Sequence, residues 1–361
     1  MADFTGGAIH ALPTRPRSST GHPEIDERIK QLIDSWDAGK SSDLIREMVI
    51  TALKMGHDDL SVADLKLFSR SLKELRYAAR VFAPYAQQKK VVVFGSARIQ
   101  PNEPSYIAAE NFARKMQQYG YMSITGGGDG IMGAAQRGAG REHSFGLNIR
   151  LPFEQRANET IDGDPKLINF NYFFTRKLNF LKETHAVAVF PGGFGTLDEG
   201  FEVLTLMQTG KARLLPYVMV DQPGGGYWET WRGFLVDCLL KQGLISKDDF
   251  HLFKITQDVD IAIAEILKFY KNYHSYRWVG ARMVIRLQQK KLTEAAITHL
   301  NESFADILQS GSIVQTVALP EEQNEPDLLN LPRIVFTPHR TNFGRLRLLI
   351  DAVNDADVVV E

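Results

Sequence analysis

Apolar positions recur along this chain in two rhythms. Between residues 24 and 87 they fall at helical spacing: Ile25, Ile29, Leu32 and Ile33, then Leu44, Ile45, Met48 and Leu53, then Leu65, Leu67, Leu72 and Leu75. This predicts a helical N-terminal extension that caps the core or pairs with another subunit. From 88 to 275, short apolar runs alternate with helical stretches. The strands predicted are Val91–Phe94, Tyr121–Thr125, Gly146–Ile149, Ala186–Phe190, Tyr217–Val220 and a weaker one near Leu252–Ile255. Between them lie helices such as Tyr106–Tyr119, Phe173–Thr184, Thr196–Gln208, Tyr227–Gln242 and Asp258–Tyr270. A run such as Val91-Val92-Val93 has no alternation, which suits a strand covered on both faces. Strands alternating with helices predict an α/β fold, a Rossmann-like doubly wound parallel sheet.

The rhythm changes again over 276–361. Strand Met283–Leu287, helix Thr293–Leu308, strands Ile313–Ala318 and Arg333–Thr337, and helix Phe343–Val353 predict a small α+β appendage, something like half a ferredoxin-like domain. The first 23 residues are rich in Pro, Ser, Thr and Gly and read as a mobile tail.

Composition narrows the classes. A hydrophobic fraction of 44% excludes a disordered chain, and a net charge of −1 argues against a nucleic-acid partner. The single cysteine, Cys238, excludes an intramolecular disulfide framework and reads as a small core residue. No apolar run reaches the ~20 residues of a membrane span, and the N-terminus lacks the order of a signal peptide. The expectation is therefore cytoplasmic residence, with no membrane partner. No His/Cys/Asp cluster suggests a metal, and none is expected.

Candidate chemistry sits where strands end, since ligands of open parallel sheets lie beyond the strands' carboxyl ends. Four predicted strands run into glycine or small polar residues: Gly95-Ser96-Ala97-Arg98, Gly126 to Gly133, Pro191-Gly192-Gly193-Phe194-Gly195-Thr196-Leu197-Asp198-Glu199, and Asp221 to Gly226. A lone glycine loop is often only a tight turn, and Gly224–Gly226 reads that way. Gly126–Gly133 superficially matches the dinucleotide fingerprint, but it follows the second strand instead of the first, which argues against NAD. The third loop, between an apolar strand and a helix, has the form of a phosphate cradle: backbone N–H groups close on the anion and the helix N-terminus adds positive potential. Ser96 and Arg98 could add a hydroxyl and a guanidinium; Arg98 reads equally as a surface charge.

Thr196-x-x-Glu199 also reads as a capping box, in which the threonine caps the helix and the glutamate bonds back to the cap. Glu202, one turn on, either reaches the same space or lies on an exposed face. Arg176 and Lys177, on the preceding helix, read on spacing alone as snorkelling cations.

Four stretches together resemble the Lonely Guy family of phosphoribohydrolases: Phe94-Gly95-Ser96-Ala97-Arg98, Gly126-Gly127-Gly128-x-Gly130-Ile131-Met132, Arg176-Lys177, and Pro191-Gly192-Gly193-x-Gly195-Thr196-x-x-Glu199. The resemblance covers residues from about 88 to about 270. It implies a Rossmann-like fold, assembly as a homo-oligomer (dimer or higher), and hydrolysis of the N-glycosidic bond of nucleoside 5′-monophosphates to free base and ribose 5-phosphate, with no cofactor. Substrates in the family are cytokinin riboside monophosphates or ordinary purine and pyrimidine nucleotides. It implies catalytic roles for Arg176 and Glu199, and substrate or phosphate binding by Gly95, Ser96, Arg98, Gly127, Gly128, Lys177, Gly192, Gly193, Gly195 and Thr196. Asp129, Met132 and Glu202 are further candidates, Asp129 as the acid that protonates the leaving base. Relatives sometimes carry the label lysine decarboxylase, but no pyridoxal phosphate site is legible. Gly133 stands where many longer relatives have a glutamate, and the two extensions depart from compact members.

In this reading the cradle fixes the 5′-phosphate, and Glu199, kept ionised by the helix N-terminus, faces C1′ and stabilises oxocarbenium character. Three rival classes remain at this point: a nucleotide-binding sensor that uses the same cradle without turnover, an NAD-linked oxidoreductase, and an assembly protein dominated by its extensions.

Overall fold

A computed structural model describes residues 19–36, 39–151, 156–288 and 290–359. The predicted tail 1–23 falls mostly outside them. The described chain forms two compact units that part between Tyr77 and Ala78.

The first unit is helical. Helices α1 (Pro23–Trp36) and α2 (Ser42–Lys54) precede the long α3 (Val62–Phe82), whose last residues belong to the second unit. Its own buried cluster is small: Ile29 and Ile33 of α1 meet Ile50 of α2, with Val49 alongside.

The second unit begins the α/β pattern. In chain order it holds β1 (Lys90–Phe94), α4 (Pro104–Gln118), β2 (Met122–Thr125), α5 (Ile131–Ala139), β3 (Ser144–Ile149), β4 (Leu167–Phe170) and α6 (Phe173–Glu183). There follow β5 (Ala186–Val189), α7 (Phe194–Gln208), β6 (Tyr217–Val220), α8 (Tyr227–Phe234), which a π-helical stretch Leu235–Leu240 continues, β7 (Lys254–Thr256) and α9 (Val259–Phe269). Cys238 lies half-buried in that π-helical stretch.

These strands make one seven-stranded sheet in the order β4-β3-β2-β1-β5-β6-β7, with every pair parallel. The Rossmann-like doubly wound fold expected from the alternation is present. The unbroken apolar runs follow from burial on both faces. Along β1, Val92 and Phe94 enter one core with Val187, Val189 and Met219. Val91 and Val93 enter the other, with Ala186, Ala188, Val218, Val220 and residues of α4, α5 and α9. Successive strand side chains point to opposite faces, so both must be apolar.

Strand order reverses at β1, with β2 on one side and β5 on the other. A crevice opens at such a switch point, beyond the strand ends. Two of the predicted glycine loops leave β1 and β5 there.

The remaining elements are β8 (Tyr273–Val279), β9 (Arg282–Leu287), α10 (Glu294–Ser303), β10 (Leu308–Thr316), β11 (Arg333–Pro338) and α11 (Phe343–Asp355). They form a separate four-stranded antiparallel sheet, β10-β11-β9-β8. Met283, Ile285, Leu287, Ile334 and Phe336 of this sheet share a core with one face of the large sheet. The order is ββαββα, one strand more than the sequence suggested. Strand β8 alternates polar and aromatic residues, Tyr-His-Ser-Tyr-Arg-Trp-Val, and the expected boundary at 275 falls inside it.

Candidate active site

The loop after β1 and the loop after β5 are tied together at the switch point. The Ser96 N–H donates to the Pro191 carbonyl at 3.1 Å, and Phe190 N–H donates to the Phe94 carbonyl at 2.8 Å. The loop after β2 joins them: the Ile131 N–H donates to the Ser96 carbonyl at 3.0 Å. Gly130 makes that approach possible. Its φ is +62°, and a Cβ there would stand 2.3 Å from the Ser96 carbonyl oxygen. Glycine is the residue that accepts both constraints.

Between these loops and α6 lies a cleft of about 760 Å³. Gly95, Ser96, Ala97 and Arg98 line it from β1, Gly126 and Met132 from the β2 side, and Phe173, Arg176 and Phe180 from α6. Gly193 to Glu199 close it from the β5 loop and α7. The size is that of a small-molecule site.

The chemistry is concentrated in one pair. Arg176 Nη2 donates to Glu199 Oε1 at 2.6 Å, and the two side chains are only 11% and 9% exposed. Phe173 and Phe180 flank the guanidinium, with ring centroids 5.0 and 5.5 Å from its carbon. The planar cation lies against aromatic surface while its edge faces the carboxylate. Its Nε is buried with no hydrogen-bond partner among the described residues. Burial raises the Glu199 pKa above the ordinary carboxylate value, and the Arg176 charge opposes that rise. Burial lowers the Arg176 pKa, with Glu199 opposing.

Two expectations about this turn are corrected. Thr196-x-x-Glu199 does not form a capping box. Helix α7 begins at Phe194 with Gly193 as its N-cap, so Thr196 is the third helical residue and Glu199 the sixth. Nor does the helix N-terminus hold Glu199 in its charged form. That influence fades beyond the first turn, and burial dominates instead.

The three glycines of the cradle have different reasons for being glycine. A Cβ on Gly192 would meet Thr196 Oγ1 at 2.1 Å, so the fold itself requires that one. At Gly193 and Gly195 no described atom lies within 4 Å of the Cβ position, and both line the cleft. Gly192 sits behind the lining, its carbonyl accepting a hydrogen bond from the Tyr227 hydroxyl at 2.5 Å.

Other candidates separate from the site. Lys177 does not line the cleft; its ammonium pairs with Asp198 at 2.8 Å and Glu202 at 2.9 Å, bracing α6 to α7. Glu202 is thereby held by Lys177. Asp129 is exposed and outside the lining. Gly127 and Gly128 are buried behind Gly126, and Met132 does reach the cleft.

Two residues that sequence reasoning passed over support these loops. Asn158 Nδ2 donates to the carbonyls of Gly127 at 3.1 Å and Gly128 at 2.8 Å. Tyr227, on α8, clamps Gly192 as described. Neither lies in a glycine motif, and their hydrogen bonds span 30 to 35 residues, so no local pattern marks them.

Residues 132–266 match a family model described as "Possible lysine decarboxylase". No curated protein matches the chain. Among solved structures, the molybdenum cofactor carrier protein of Chlamydomonas reinhardtii is 21% identical, over 50% of this chain and 97% of that one, with a TM-score of 0.36. The molybdenum cofactor binding protein of the phototrophic bacterium Rippkaea orientalis is 19% identical, over 50% and 96%, with a TM-score of 0.35. DNA processing protein A of Helicobacter pylori, described as binding single-stranded DNA, is 17% identical, over 51% and 83%, with a TM-score of 0.37.

Proposed function

We propose that this chain, residues 132–266 of which match that family model, works as the Lonely Guy proteins do and hydrolyses the N-glycosidic bond of nucleoside 5′-monophosphates. The observation that carries the reading is the Arg176–Glu199 pair, buried in one wall of a cleft whose neighbouring wall holds glycines the fold does not demand. Open space at Gly193 and Gly195 lets a phosphate approach the backbone N–H groups at the start of α7. Ser96 and Arg98, on the adjoining β1 loop, supply a hydroxyl and a cation to the same ligand.

With the phosphate seated there, the sugar extends toward Glu199. The C1′–N bond breaks and its electron pair leaves on the base nitrogen. Water adds its oxygen to C1′, one of its protons is lost, and the base gains one. Glu199 faces the cationic carbon that forms and orients the water. Arg176 holds Glu199 in place through Nη2. As a permanent cation it is not the acid that protonates the base.

The decarboxylase description fits this cleft poorly. Pyridoxal phosphate chemistry needs a lysine to form a Schiff base. No lysine lines the cleft among the described residues, and Lys177 is committed to Asp198 and Glu202.

The test is incubation with AMP, GMP, CMP, UMP and N6-prenyl-AMP, with chromatography of the released base. At least one should yield free base and ribose 5-phosphate, and Glu199→Ala should abolish release while nucleotide binding by calorimetry persists. Tight binding by the wild type with no base released from any nucleotide overturns the hydrolase reading and selects the sensor.

A further inference from the structure

Helix α6 presents two successive cations to α7, and α7 carries three carboxylates in five residues, Asp198, Glu199 and Glu202. Arg176 pairs with Glu199 at 2.6 Å. Lys177, the next residue, reaches Asp198 at 2.8 Å and Glu202 at 2.9 Å. Asp198 and Glu202 are four residues apart and share a helix face, so one ammonium can bridge both. Glu199 stands about 100° round the helix from Asp198 and lines the cleft.

The exposures in this cluster are uneven. The Lys177 side chain is 14% exposed, while Asp198 is 57% and Glu202 39% exposed. Solvated carboxylates gain little stability from an ion pair, and an ammonium loses hydration on being buried against them. Stability alone accounts poorly for Lys177. Its neighbour Glu199 accounts for it well.

Without Lys177, three carboxylates on little more than one helical turn would face Arg176 alone. Like charges that close disfavour one another's ionisation, and the proton goes to the least hydrated. That one is Glu199, 9% exposed. Burial raises its pKa, Arg176 and then Lys177 oppose the rise, and Asp198 and Glu202 add to it. Arg98, on the β1 loop, is the other charged residue lining the cleft. Burial works against the Lys177 charge, but its bonds to Asp198 and Glu202 raise its pKa, so it stays a cation wherever a carboxylate titrates.

We infer that Lys177 is a positioning residue for Glu199: by neutralising Asp198 and Glu202 from the neighbouring helix, it keeps the Glu199 carboxylate ionised and paired to Arg176. In this role it makes no contact with the phosphate. The consequence for turnover rests on the hydrolase reading; the effect on the Glu199 carboxyl does not.

Carbon-13 NMR of the full-length chain with labelled glutamate carboxyls reads that effect, the Glu199 signal being the one lost in Glu199→Gln. In Lys177→Met the Glu199 titration should move to higher pH, and in Lys177→Arg it should stay with the wild type. Asp198→Asn with Glu202→Gln, which leaves Lys177 in place, should move it to lower pH, and tests the same balance if Lys177→Met fails to fold. Base release should carry the same signature. The loss of kcat in Lys177→Met should be at least about threefold larger at pH 5.5 than at pH 8, while the Kd of ribose 5-phosphate by calorimetry changes less than about twofold. A Glu199 titration unmoved in these variants overturns the inference. So does a folded Lys177→Met protein that loses ribose 5-phosphate binding with an unchanged pH profile, which would make Lys177 a phosphate ligand. If no nucleotide yields free base, the hydrolase reading falls, and the NMR titration still decides the role of Lys177.

Discussion

Removing one member of the Arg176–Glu199 pair should destabilise the protein more than removing both. With side chains 11% and 9% exposed, each charge has given up most of its hydration, and its partner at 2.6 Å replaces it. Arg176→Met leaves a buried carboxylate without its cation, and Glu199→Leu leaves a buried guanidinium without its anion. Breaking a fully buried pair costs about 3–5 kcal/mol, whereas replacing it with apolar groups of similar volume is near neutral. The cleft is open to water, so we take about 2 kcal/mol for each single change and within about 1 kcal/mol for the double. The cycle then gives a coupling of about 3 kcal/mol, at the upper end for contacting residues.

Urea unfolding at pH 8, followed by circular dichroism, measures all four proteins. The pH dependence adds a second check. In Arg176→Met the Glu199 carboxyl loses the cation that opposed its raised pKa, leaving burial to push it up further. The folded state then binds a proton that the unfolded state has released. Stability of this variant, relative to wild type, is therefore greatest below the ordinary glutamate pKa and falls as pH rises through the window up to the raised folded value. Single changes costing under about 0.5 kcal/mol and adding independently would show that solvent already screens the pair. The site would then lack the desolvation on which its chemistry rests.

Two other outcomes follow from the geometry. Gly130→Ala forces a Cβ to 2.3 Å from the Ser96 carbonyl at φ +62° and should cost about 2–4 kcal/mol, whereas Gly193→Ala should leave the melting temperature within about 2 °C and still reduce base release at least tenfold; equal thermal shifts in the two variants would refute the distinction. His185 is held near a pKa of about 3 by burial, with Arg213, Lys90 and Lys89 adding repulsion, and its Nδ1 accepts from the Lys90 N–H at 3.2 Å. Its folded value lies below its unfolded one, so its contribution is present above about pH 6.5 and disappears as pH falls toward 3, a loss of about 2–3 kcal/mol after allowing for partial exposure; His185→Asn should show a flatter acid limb in urea titrations, and an unchanged slope would refute the assignment.

What the sequence disclosed and what it hid divide along a physical line. Runs such as Val91-Val92-Val93 announce themselves because both faces of a central strand must be apolar. Strand β4 is only Leu-Ile-Asn-Phe at the edge of the sheet, with Asn169 exposed on one side, and so short a segment carries little periodic signal. Strand β8 was hidden by polar residues that its half-buried position tolerates. The cradle was legible because backbone approach demands glycine, which is visible in one letter. Asn158 and Tyr227, which hold that backbone by hydrogen bonds across long sequence separations, have no local pattern to betray them.

The turn from Gly192 to Glu199 shows why a local motif can point to the right residues for the wrong reason. Read locally, Thr196 and Glu199 satisfy a helix end. In the fold, Gly193 takes the cap position and the helix starts two residues before Thr196, which carries Glu199 past the reach of the terminus and turns it to the cleft. A glutamate still engaged in a capping box would have its carboxylate occupied by a backbone N–H. Moving the cap to a glycine frees that carboxylate, and Arg176 then takes it up from the neighbouring helix. The same shift places the unpaired N–H groups of Phe194, Gly195 and Thr196 at the cleft mouth, where an anion could complete them. One helix start, with Gly193 at the cap position, therefore creates both the anion cradle and the available carboxylate.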